Sequence, residues 1–279
     1  MKKRLFALVI TLVLLLATVI PVAAITWGQP DEGEHPNVGT LLFVQNGVGY
    51  YSCTGTMIAP RVMLTAGHCV EELGNVNDVT YVRFDEDAMS GYGSYASTQD
   101  WLDAEWLSVD LVIPHPQYED YNLFPETYDV GVVILNEEYT PSNGFAYLPP
   151  LGFLESLKGT EKIGFEAVGY GMQGTINPFY QNDYVRYKGT IKFIEAKSML
   201  TAKGSHSAKF TNNPGIGGGT CYGDSGGPTF APEDPNMTVA VTSFGWAKNG
   251  NCVGNDFNFR LDIPPAQDFI YEILAEYGQ

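Results

Sequence analysis

Ten short runs of β-forming residues, separated by turn residues, limit what this 279-residue chain can fold into. They are Val38–Gln45, Tyr50–Ile58, Arg61–Ala66, Val79–Phe84, Leu107–Ile113, Val130–Asn136, Ile163–Gly169, Val185–Phe193, Met237–Trp246 and Phe257–Leu261. Short strands at this frequency close as a barrel or stack as a sandwich, so the predicted fold class is all-β. With 31 Gly, 17 Pro and only 17% charged residues, the chain has the turns such strands need and the apolar content for a core. Residues 138–160 hold Pro141, Gly144, Pro149, Pro150 and Gly152. They read as a connection between two β halves, about 38–137 and about 161–262. The C-terminus changes period. Phe269, Ile270, Ile273, Leu274 and Tyr277 recur at helical spacing behind Pro264 and Pro265, which predicts a helix over about 264–277.

The first 24 residues read as a secretory signal and not as part of the fold. Lys2, Lys3 and Arg4 precede an apolar run, Leu5 to Ile20, and the segment closes on Val22-Ala23-Ala24. The run is short for a membrane span, so cleavage is expected to leave residues 25–279 as a secreted protein with no stable membrane association. Export implies an oxidising compartment in which Cys53, Cys69, Cys221 and Cys252 pair. Three connectivities are open, and pairing neighbours would make two local clips. Losing the leader's three cations takes the net charge from −17 to −20. A chain this acidic lacks the basic footprint that nucleic acid requires.

The chemistry concentrates in three segments. Gly223-Asp224-Ser225-Gly226-Gly227-Pro228 flanks a Ser with glycines that permit a sharp turn. The string also fits the nucleophile elbow of α/β-hydrolases, but that fold needs a His after its Ser. His35, His68, His115 and His206 all precede Ser225, so the elbow fails. Thr65-Ala66-Gly67-His68-Cys69 follows a strand and carries a His beside a Cys. Tyr128-Asp129-Val130-Gly131-Val132-Val133 puts a carboxylate at the start of an apolar strand. The order His, Asp, Ser stays open as a catalytic set.

Together these segments resemble the chymotrypsin/trypsin family of serine proteases. Pro114-His115-Pro116-Gln117-Tyr118, Gly169-Tyr170-Gly171 and Ser243-Phe244-Gly245 add to the resemblance, which covers about residues 25–275. It implies two antiparallel β-barrels with the active site between them, followed by a C-terminal helix. It implies a secreted, monomeric endopeptidase acting on polypeptides, with Ser225 as nucleophile, His68 as general base and Asp129 orienting the imidazole. The Gly223 and Ser225 N–H groups would form the oxyanion hole. Cys53–Cys69 would brace the His68 loop and Cys221–Cys252 the specificity pocket. An Ile25 α-ammonium freed by signal cleavage would pair with Asp224.

The pocket would comprise Gly219, Ser243, Phe244, Gly245 and Asp256. Gly219, six residues before Ser225, implies an apolar preference, and Asp256 in the wall would instead draw basic side chains. No metal or cofactor is expected, save that the resemblance leaves calcium open in the acidic stretch after His68. His35 and His206 read as surface residues. Sixty residues separate His68 from Asp129, with the excess expected as a loop over 85–105. A catalytically dead binding protein or a narrow esterase on the same fold are the alternatives.

Overall fold

Apolar strands bury both faces when a sheet curls on itself. The computed structural model describes residues 25–45, 48–71, 79–119, 126–157, 163–176, 179–196, 206–213, 215, 217–246 and 251–279. The expected leader, residues 1–24, lies outside the described residues. After β1 (Gln29–Pro30) come β2 (Val38–Gln45), β3 (Val48–Ala59), β4 (Val62–Thr65), β5 (Val79–Arg83), β6 (Leu107–Pro114) and β7 (Gly131–Leu135). The last six close as an antiparallel barrel in the order β2-β3-β4-β7-β6-β5. Leu41, Met57, Met63, Val82 and Val133 fill it.

The second half holds β8 (Gly164–Gly169), a small hairpin of β9 (Gly174–Ile176) and β10 (Phe179–Gln181), and β11 (Tyr187–Glu195). There follow β12 (Ser207–Asn212), β13 (Pro228–Ala231), β14 (Asp234–Trp246) and β15 (Gly254–Arg260). The ring β11-β12-β15-β14-β13-β8 is closed by β8 pairing with β11, and β1 adds to β11 from outside. Phe165, Phe193 and Phe210 pack edge to face at its centre. A third cluster joins the barrels: Val38, Leu64 and Val132 meet Val168, Phe230 and Val241. The C-terminal helix runs Pro264–Tyr277 and sets Phe269, Ile270 and Ile273 against that seam. The two barrels and the helix are the architecture that the resemblance implies.

Two strands of the second ring escaped the sequence reading, as did the short β1, β9 and β10. β12 reads Ser-Ala-Lys-Phe-Thr-Asn, and only its pairing with β11 and β15 buries it. β13 is four residues long and gains its partners by closing the ring.

The stretch expected as a loop over 85–105 is ordered around one cation. It contains α1 (Thr98–Glu105), whose Ser97 cap accepts from the Asp100 N–H at 3.1 Å. A second short helix, α2, spans Phe153–Ser156 within the connection, and the C-terminal helix is α3. Buried Arg83 donates to Asp85 at 2.7 Å, to the Ala88 and Ser90 carbonyls at 3.4 and 2.9 Å, and to Glu105 at 3.3 Å. Its guanidinium lies over Trp101 and Trp106 at 5.6 and 6.0 Å. Two carboxylates of this stretch, Asp85 and Glu105, therefore already face a fixed cation.

A second buried cation, Arg186, ties the halves together. It donates to Asp31 at 2.8 Å, to the Val38 and Phe84 carbonyls at 3.0 and 2.8 Å, and to Tyr170 Oη at 2.9 Å. Asp31 also meets His35 Nδ1 at 2.5 Å, and His35 Nε2 reaches Glu166 at 3.2 Å. His35 is therefore buried, contrary to the surface position expected from sequence, because two carboxylates receive it. Burial opposes its charge, but the Asp31 and Glu166 partners outweigh burial and hold its pKa above the usual imidazole value. Burial likewise opposes ionisation of Asp31, yet His35 and Arg186 bring its pKa down to about 2.

Neither excess EDTA nor millimolar calcium is expected to shift Tm by more than about 2 °C, a shift worth under ~1 kcal/mol in a chain this size. Arg83→Met is expected to cost about 2 kcal/mol by removing charge-assisted hydrogen bonds whose carboxylate partners are part-exposed. Differential scanning calorimetry checks both, and stabilisation of the unmutated protein by calcium would contradict the first.

Candidate active site

Thr65 at the end of β4 stands opposite Gly131 at the start of β7. The chain leaves β4 through a 3₁₀ turn, Gly67–Cys69, and enters β7 two residues after Asp129. Adjacent strands thus carry His68 and Asp129 to the same rim. The Cys53–Cys69 disulfide ties the turn back to β3.

Buried Asp129 accepts from the His68 backbone N–H at 2.9 Å and from the ring. His68 Nδ1 lies 2.9 Å from Oδ2 and 3.1 Å from Oδ1. Ser243 Oγ, from the second barrel, donates to Oδ2. Burial opposes the charge on Asp129, but His68 and these donors outweigh it and hold the pKa below the ordinary carboxylate value. With Nδ1–H given to the carboxylate, a neutral His68 ring presents Nε2 as a base.

Ser225 arrives from the opposite barrel. Thr54 Oγ1 donates to the Gly223 carbonyl and the Thr54 N–H to the Ser225 carbonyl, both at 2.8 Å. These bonds orient the 223–224 and 225–226 peptide planes. The close approach requires glycine at 226, where φ is +77° and an added Cβ would stand 2.0 Å from Thr65 Oγ1. Gly223, at φ +98°, has the same need, since a Cβ would meet Gly171 Cα at 2.9 Å.

His68 and Ser225 line one cavity of about 350 Å³ with Ser243, Phe244 and Gly245 on one wall. Asp256, which pairs with Gly245 across β14 and β15, also lines it. Tyr222, Trp246 and Val253 stand exposed around it. Cys221–Cys252 joins two lining segments.

Gly219 does not open this pocket in the way the sequence suggested. An added Cβ there would lie 2.1 Å from Asn212 Cγ, so the Asn212 amide fills the space and lines the cavity itself. Asn212 Nδ2 donates to Asp256 Oδ1 at 2.6 Å, and the Thr220 N–H donates to Oδ2 at 2.9 Å. Burial pushes the Asp256 pKa up to about 6, against these two donors. Sequence reasoning missed Asn212, because nothing local in Phe210-Thr211-Asn212 signals a partner 44 residues away.

Asp224 is fully buried and accepts N–H groups from Gly171 at 2.8 Å and Cys221 at 2.9 Å. Burial pushes its pKa up to about 7 despite those bonds. Among the described residues no cation pairs with it. Ile25, an internal residue in this chain, is buried with φ +48°. The next residue, Thr26, docks on Gly219: Gly219 N–H donates to the Thr26 carbonyl at 3.2 Å and Thr26 Oγ1 to the Gly219 carbonyl at 3.0 Å. The remaining histidines are buried too. His206, expected at the surface, packs against Tyr128 and Phe259.

The sequence profile of the trypsin family matches residues 25–270. Among curated relatives, serine protease 1 of Drosophila melanogaster is 28% identical over 233 residues, covering 80% of this chain and 76% of the relative. Chymotrypsin-like elastase family member 1 of Canis lupus familiaris is 26% identical over 230 residues, covering 77% and 79%. Among solved structures, HL collagenase superposes with a TM-score of 0.63 at 19% identity, covering 91% of this chain and 99% of its own, a likeness of fold.

The raised Asp224 predicts a pH signature in the uncut chain. A folded pKa near 7, above the unfolded value of 3.8, makes the folded state bind the proton more tightly. That stabilisation is full below pH ~4 and is lost as pH rises to ~7. The stability difference between the parent and Asp224→Asn is expected to change by about 4 kcal/mol between those limits. Urea titrations at several pH values, in a Ser225→Ala background, read it.

Proposed function

The chain belongs to the trypsin family and is a serine-type endopeptidase, and from that premise we propose that it is secreted and cuts polypeptides through Ser225, His68 and Asp129. The observation that carries this reading is the His68 Nδ1 contact with buried Asp129 at 2.9 Å, in a ring that shares a cavity with Ser225. Ser225 Oγ attacks the scissile carbonyl while His68 Nε2 takes its proton and later returns it to the leaving amine. Asp129, kept ionised, fixes the tautomer and balances the imidazolium. The Gly223 and Ser225 N–H groups receive the oxyanion, and removing one such donor typically costs about 3–4 kcal/mol. Water then repeats the sequence on the acyl-enzyme.

The active form begins at Ile25. A β-branched residue in left-handed backbone is strained, at a cost of about 1–3 kcal/mol. Cutting the bond after Ala24 removes the preceding carbonyl, and with it the constraint on φ. The new α-ammonium starts beside the Thr26–Gly219 contact, in the loop that leads to Asp224. Asp224, buried with no cation against it among the described residues, supplies the counter-charge, and pairing brings its pKa down from about 7.

The pocket takes long side chains. Its Phe244, Trp246 and Val253 walls accept apolar ones. Asp256, with a pKa near 6, is ionised at neutral pH and has accepting capacity left, so it adds a preference for Lys and Arg.

Cleavage profiling of the secreted protein on a peptide mixture, with Ser225→Ala as control, tests the reading. Cuts absent from the control are expected after Lys, Arg and large apolar residues, and N-terminal sequencing should begin at Ile25. Asp256→Asn should lower kcat/KM for Lys and Arg about tenfold or more, the worth of a charge-assisted bond, and leave apolar substrates within about threefold. Equal cutting by Ser225→Ala would refute the proposal.

A further inference from the structure

The backbone that delivers Asp129 adopts a conformation its residues resist. Tyr128 has φ +46°, in the left-handed region that bulky residues avoid. Its carbonyl turns back to accept from the Val130 N–H at 2.8 Å, so Asp129 sits at the centre of a three-residue turn. Such a backbone persists only where its surroundings over-determine it.

Three elements supply that constraint. The Tyr128 ring stacks on His115, with centroids 4.9 Å apart and planes at 23°. His206 meets it edge-on at 4.5 Å. Phe269 backs His115 at 5.0 Å. His115 follows β6 of the first barrel, His206 precedes β12 of the second, and Phe269 lies on α3.

Both imidazoles are buried. His115 Nδ1 accepts from the Gln117 N–H at 3.1 Å, and the ring also bonds the Pro265 carbonyl, which fixes one neutral tautomer. His206 Nδ1 is buried with no hydrogen-bond partner among the described residues. Burial holds both pKa values below the usual imidazole value. The charged neighbours are Glu126 and Arg260 beside His206, and His206 itself beside His115. Two flat, uncharged rings therefore grip the residue before Asp129.

We propose that Tyr128 is a positioning residue for catalysis, held by a His115–His206 clamp so that its strained turn aims the Asp129 carboxylate at His68. The inference rests on the reading of His68, Asp129 and Ser225 as the catalytic set. Both Asp129 oxygens are committed, to His68 and to Ser243, so a small displacement of the turn breaks the alignment. Because the clamp takes one ring from each barrel, the aim of Asp129 depends on how the barrels dock.

The test uses the Ile25-starting enzyme. Tyr128→Phe and His206→Phe keep flat rings, and their kcat should stay within about twofold. Tyr128→Ala, Tyr128→Gly and His206→Ala remove a ring, and kcat should fall about tenfold or more with KM within about twofold, as misplacement near 1 Å can cost up to about 100-fold. Tyr128→Gly relieves the strained φ as well, so its loss isolates the ring. Phe269→Ala, a milder change behind His115, should lower kcat about threefold, and it decides the matter if the others do not fold. Full kcat in Phe269→Ala, or in folded Tyr128→Ala and His206→Ala with only Tm lowered, overturns the clamp. Ser225→Ala distinguishes the two failures, because activity surviving there overturns the catalytic set itself.

Discussion

The guanidinium of Arg186 is the constraint on which the rest of the structure depends. It cannot shed its charge, so burial obliges it to find acceptors, and it finds them on three segments. Asp31 lies on the N-terminal segment, the Val38 and Phe84 carbonyls on the first barrel, and Tyr170 just beyond β8 of the second. Tyr170 in turn donates to the Asp85 carbonyl at 2.8 Å. Moving either barrel would strand a buried charge. This sets the relative position of two units that each carry half of the proposed site.

The site inherits that dependence. His68 and Asp129 stand on the first barrel, while Ser225 and Ser243 stand on the second. Asp129 is held from both sides, by His68 in its own barrel and by Ser243 across the seam. Thr54, on β3, grips the Gly223 and Ser225 carbonyls in the other direction. Unfavourable local choices gather here: left-handed Tyr128, left-handed Ile25, and two buried carboxylates that no cation meets among the described residues. Packing from elsewhere offsets each of them, as expected where preorganised geometry matters more than local comfort.

Much of the site was legible in the chain because its requirements are local. Gly223 and Gly226 flank Ser225 since only glycine fits their φ values and close contacts. His68 follows a strand and adjoins a cysteine, and Asp129 precedes an apolar run, which is where the barrel rim puts them. The C-terminal helix was legible from its period. The pocket floor was not. Gly219 suggested open space, but Asn212 fills it, and Asn212 is addressed by Asp256 and Thr220 rather than by its neighbours in sequence. His35 and His206 looked like surface residues because their partners, Glu166 and Phe259, lie far along the chain.

The sequence by itself determined the strand content, the helix at the end and the three segments that carry the chemistry. Each of these follows from backbone conformation or from residue order, which a chain states within a few positions. Only the tertiary structure decided that β12 and β13 are strands, that Arg83 gathers Asp85 and Glu105, and that a buried carboxylate at Asp256 lies in the pocket. Those outcomes depend on barrel closure and on burial. Closure supplies partners to strands with weak signals of their own, and burial sets the cost of every unpaired charge.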